Sequence, residues 1–125
     1  MGISERARNV QSLPPMKRIV TEEDCERALS WLRDNALDIG NAKARQRKAE
    51  HMLKHIEALE YKRSDAKSAE ARKADARTSE AYVDAINEDA MAAGEYEKLR
   101  ALREAAALKI EAWRSEQANY RAMKV

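Results

Sequence analysis

The chain has no phenylalanine, one cysteine, two prolines and three glycines among 125 residues, and aromatics make up only 5%. Each shortage excludes something. A sheet protein needs more β-branched and aromatic residues and more turn formers than this. A lone Cys25 cannot close an internal disulfide, so a reducing compartment is expected. No run of about 18 apolar residues is present, hence no membrane span is expected. The N-terminus lacks the continuous apolar segment of a secretory signal. The expected localisation is the cytoplasm.

What is present is charge, 37% of all residues, on a background rich in Ala, Glu, Lys, Leu and Arg. That is the composition of long helices and coiled coils. The expected fold is therefore all-α, a long antiparallel helical hairpin that oligomerises into a bundle. Two helices side by side bury only one stripe each, and such thin cores usually gain stability by self-association. A single domain is expected at this length.

The strongest periodic signal lies between Tyr96 and Tyr120. Leu99, Leu102, Ala106, Ile110, Trp113, Gln117 and Tyr120 recur at three- and four-residue steps and fall in one arc of a helix. A stripe of smaller residues, Ala101, Ala105, Leu108 and Ala112, lies beside it. Two apolar stripes on one helix ask for more than one neighbour. Leu99, Leu102, Ile110, Trp113, Arg114 and Tyr120 are the candidate partner or oligomer interface. Trp and Arg are residue types that dominate binding hot spots, although Trp113 and Tyr120 also suit plain seam packing.

From its start, residues 1–20 form a basic arm in which Pro14 and Pro15 forbid a continuing helix. Thr21 then caps a first helix, with Glu22, Glu23 and Asp24 suiting the positive end of its dipole. This helix is expected over about 22–62. Its seam is Cys25, Leu29, Leu32, Ala36, Ile39, Ala42, Ala49, Leu53 and Ile56. Gly40 is a weak point in a helix that continues across it, and Gly94 interrupts the second helix likewise, as a shared bend, a close crossing or a coincidence. Residues 63–78 keep helix-forming alanines but lose every large apolar residue, so the turn falls there. Ser64, Asp65, Thr78 and Ser79 are the candidate caps. The second helix is expected over about 79–123. One continuous helix to residue 122 is the competing geometry.

Charge is segregated along the chain. Residues 21–42 hold two basic and six acidic residues, whereas residues 43–77 hold eleven basic and six acidic. Within the basic part, Lys43, Arg47, Lys48, His51, Lys54, His55 and Lys62 share one side of the first helix, opposite its apolar seam. Such a ridge spans about 28 Å at 1.5 Å per residue, enough to follow several phosphates. The candidate ligand is nucleic acid or an acidic protein, bound by charge and with little sequence preference. The plainer alternative is a solvated face.

Nothing in the sequence supports catalysis. His51 and His55 have metal-ligand spacing, but residue 52 is Met and no third His exists, so no metal and no cofactor is expected. No phosphate loop, nucleophile–base pair or zinc-finger cysteines are found, and no small-molecule substrate is evident.

The stretch Leu102–Ala122 contains Ile110-Glu111-Ala112-Trp113-Arg114-Ser115 and Ala118-Asn119-Tyr120-Arg121-Ala122. It resembles the ending of a group of small, mostly uncharacterised helical phage and prophage proteins, I-E-A-W-R-S-x-x-A-N-x-R-A. Ser79–Tyr82 and Tyr96–Leu99 also resemble them, so the likeness covers the C-terminal third to half of the chain. It implies a phage origin and a non-catalytic accessory role in DNA recombination or replication inside the bacterial host. It implies no catalytic residues. An interaction module without nucleic-acid binding, such as a host-protein inhibitor or a virion assembly factor, is the alternative.

Overall fold

A computed structural model describes residues 19–124. Among them the chain is all-helical, without strands. Helix α1 spans Glu22–Arg63, α2 spans Ala69–Arg77 and α3 spans Glu80–Lys124. The basic arm expected over residues 1–20 lies outside the described residues except for Ile19 and Val20.

Local chemistry explains each boundary. The Asp24 N–H donates to Thr21 Oγ1 at 3.0 Å, and the Thr21 N–H donates back to Asp24 Oδ2 at 3.0 Å. This reciprocal cap satisfies N–H groups that the first turn leaves free. It also holds the Asp24 carboxyl below its ordinary value, chiefly through the Thr21 N–H and hydroxyl. After Arg63 the chain meets Ser64, whose Oγ accepts from the Ala66 N–H at 3.1 Å and donates to Asp75 Oδ2 at 2.6 Å. A serine that binds its own neighbourhood competes with the helix ladder. Ser68 starts α2, accepting from the Ala71 N–H at 3.1 Å. Ser79 starts α3, its Oγ accepting from the Tyr82 N–H at 3.2 Å. The stretch expected to be a turn thus carries a nine-residue helix of its own, and a single helix to residue 122 does not form.

The two long helices pack, and the chain divides into two compact units. Among the described residues, one joins 19–34 with 103–124; the other is residues 35–102. In the first, buried Cys25 and Ala28 belong to α1 and Ala106 to α3. The Val20 N–H donates to Glu116 Oε1 at 3.2 Å in the same unit. In the second, the buried residues are Ile39, Ala42 and Ala49 of α1, Ala76 of α2, and Ala92 and Leu99 of α3. Contacts run in opposite senses along the chain: Lys43 meets Tyr96, Arg45 meets Glu88, and Glu57 meets Arg77.

Among the described residues, six of the ten buried hydrophobic ones are alanines, and no large side chain is fully buried. Alanine lets backbones approach closely but removes little apolar area from water. The core is thin for that reason. Several positions expected in the seams or in the stripe beside them are open instead: Leu29 is 52% exposed, Leu102 45% and Leu108 69%. Ala36, Ala101 and Ala105 are exposed as well. Ala28, one step from Leu29, is what faces the core of its unit. Both helices run unbroken through Gly40 and Gly94, and a Cβ at either position would meet nothing within 4 Å.

Candidate nucleic-acid interface

The ridge residues lie on the second unit's part of α1. Lys43, Arg47, Lys48, His51, Lys54, His55 and Lys62 are all exposed, while Ala42 and Ala49 on the other side of the helix are buried. Helical periodicity accounts for the separation. The steps that carry the buried alanines inward carry the basic residues outward.

Exposure alone does not distinguish this face, because most charged residues of the chain are exposed. Clustering does. Some basic residues are matched within the chain, Arg27 with Asp24, Arg45 with Glu88, Arg77 with Glu57, Arg100 with Glu97 and Arg114 with Glu111; Lys67, Lys73, Arg103, Lys109 and Arg121 are unmatched among the described residues, as the ridge is. Among the described residues, none offers a hydrogen bond or ion pair to Arg47, Lys48, His51, Lys54, His55 or Lys62. Lys43 differs. Its Nζ lies 4.7 Å from the centroid of the Tyr96 ring and 3.4 Å from Gln46 Oε1. A cation over an aromatic face is held there electrostatically, so Lys43 marks the edge of the ridge against α3.

One contributor lies outside the reach of helical spacing. The Arg72 guanidinium sits 5.6 Å from the centroid of Tyr61, a residue of the ridge arc, and Arg72 Nε donates to the Ala66 carbonyl at 2.9 Å. The link after α1 folds Arg72 back to the end of the ridge. Periodicity within a single helix carries no signal for such a return. Alongside, the Glu57 carboxylate holds Arg77 through a 2.6 Å hydrogen bond and raises the guanidinium above its ordinary value.

The side chains can form charge-assisted hydrogen bonds to an anion. No group of three His, Cys, Asp or Glu that could hold a metal occurs among the described residues. Cys25 is buried.

The candidate partner residues of α3 do not form one patch. Leu99 is buried in the second unit, where Leu102 is exposed. Ile110, Trp113 and Tyr120 of the first unit are partly buried, and Arg114 is exposed. The Trp113 Nε1–H is buried without a hydrogen-bond partner. Beside it lies a shallow hollow of about 420 Å³ lined by Trp113, Arg114, Gln117 and Arg121, among others. Trp31 is partly buried in that unit too, and it is not without a partner.

No helix among the described residues is long and apolar enough to cross a membrane. Compared with known protein families, curated proteins and solved structures, the chain matches none.

Proposed function

We propose that this protein is a non-catalytic nucleic-acid-binding accessory protein, built as an antiparallel helical hairpin and contacting phosphates through the exposed ridge of α1. The observation that carries the reading is the run of unmatched cations on one exposed face of α1. Matched basic residues occur along all three helices, yet Arg47, Lys48, Lys54 and Lys62 have no carboxylate among the described residues. An unneutralised row of cations on a rigid helix is an electrostatic footprint for a polyanion. The likeness of the C-terminal stretch to small phage proteins adds a setting, DNA recombination or replication in the cytoplasm of a bacterial host. Binding by charge and shape involves no turnover.

The test is retention of fluorescent single- and double-stranded oligonucleotides at low salt. Wild-type protein retains them. The variant with Arg47→Glu and Lys54→Glu loses retention and keeps its helical circular dichroism. Equal retention by both proteins contradicts the reading.

A second reading has one observation in its favour, the hollow beside Trp113 with Arg114 and Arg121 on its rim. It makes the chain a protein-interaction module that inhibits or adapts a host protein or serves virion assembly. Under that reading Arg114→Glu abolishes binding to the partner, and oligonucleotide retention is absent in wild type.

A further inference from the structure

The two sides of the helix pair in residues 35–102 are not equivalent. On one side Tyr96 closes the gap between α1 and α3, with Lys43 lying over its ring. The other side is a groove that the Arg45–Glu88 ion pair crosses. Two hollows, of about 220 and 280 Å³, lie along it and share Arg45 as a common wall. Met52 lines the first hollow. Met91 stands three residues from Glu88, which also lines it, and is 64% exposed. Leu102 is set likewise from Leu99, which lines the second hollow. Methionine and leucine exposed along a groove between two helices make the kind of surface a further helix covers.

The charges on the two rims indicate what covers it. The α1 rim carries Arg45 and Lys48, and the α3 rim carries Glu88 and Glu95; Arg45 is paired with Glu88 and Glu95 with Lys98, so Lys48 is the rim charge left for a partner. Asp84, one turn before Glu88, extends the acidic rim. Lys48 and Asp84 are exposed and have no partner among the described residues. A groove with one basic and one acidic rim is complementary to a copy of itself when α1 of one chain lies over α3 of the other. The reverse stacking, α1 on α1, sets Lys48 near its own duplicate and is disfavoured by like charge.

We infer that the Met52–Met91 groove is the interface of a twofold homodimer, a four-helix arrangement in which the α1 rim of each chain faces the α3 rim of its partner. Each copy supplies the same patch, as a closed twofold requires. The pairing buries apolar surface that the thin alanine core leaves in water, and it sets Lys48 opposite Asp84 of the partner subunit twice. The inference does not rest on nucleic-acid binding, since Arg47, Lys54 and Lys62 point away from this groove.

The experiment is sedimentation equilibrium on the full chain. Wild type sediments at twice the 14.2 kDa chain mass. The variant with Met52→Asp and Met91→Asp sediments at the chain mass while keeping its helical circular dichroism. Lys48→Glu alone and Asp84→Lys alone each weaken dimerisation about tenfold or more, equivalent to roughly 1.4 kcal/mol. The double variant Lys48→Glu with Asp84→Lys restores the wild-type constant. Wild type at the chain mass at every concentration overturns the inference. So does a dimer insensitive to the methionine changes, or a charge swap that fails to rescue. The charge variants sit on exposed positions and test the geometry even if the methionine variant fails to fold.

Discussion

Neutralising part of the ridge changes how steeply binding depends on salt, and the size of that change follows from the structure. Three permanent cations on the ridge point away from the groove and have no partner among the described residues: Arg47, Lys54 and Lys62. Each phosphate they neutralise releases counterions, so the log–log slope of affinity against salt is about −2.7 on duplex DNA and about −2.1 on single strands. Raising salt from about 50 to about 200 mM then weakens duplex binding about 40-fold, and single-strand binding about 18-fold. Replacing Arg47 and Lys54 by Gln leaves one cation, a duplex slope of about −0.9, and a loss of about 3.5-fold over the same range. Fluorescence anisotropy titrations at four or more salt concentrations read the slopes directly. Slope is more informative than affinity because a misfolded or self-associated fraction changes the intercept first. A wild-type slope near zero refutes the ridge as a phosphate contact. So does a variant slope equal to wild type, which would place the contact elsewhere.

Other expectations concern the fold. Thr21→Ala removes one half of the reciprocal cap on α1 and costs about 1 kcal/mol of stability, read by urea unfolding. The folded Asp24 carboxyl lies below its ordinary 3.8. Its contribution is therefore complete above that value and is lost as pH falls through the lower folded one, so Asp24→Asn should flatten the acid limb of a melting profile. Gly40→Ala and Gly94→Ala each raise stability by roughly 0.8–1 kcal/mol, since a helix interior favours Ala and an added Cβ meets nothing at either site. A loss at either position would mean that another chain approaches there. Ala92→Leu forces a larger side chain into a fully buried position and destabilises by about 1–3 kcal/mol in the same assay.

The start of α1 could be read from Thr21 and the acidic turn behind it because capping is local chemistry. The basic ridge was equally legible, because one helix's period fixes which residues share a face. Packing was less so. The period places Leu29, Ala36 and Leu102 close to the seam, but helices touching through alanines bury a narrower arc, and these three stay in water. The link was the hardest part. Ser68 caps α2 amid a run of small and charged residues that carries no apolar period, and Ser64 gains its second partner, Asp75, only after the chain folds back. Arg72 reaches Tyr61 by the same return. The groove with Met52 and Met91 has no sequence signature either, since it is defined by two helices at once.

Light-scattering mass of the protein at low salt, alone and mixed with short single- or double-stranded DNA, puts the whole reading at stake. The ridge predicts a heavier species that contains both components and disappears when Arg47 and Lys54 become Glu. A protein mass unmoved by either oligonucleotide would contradict it.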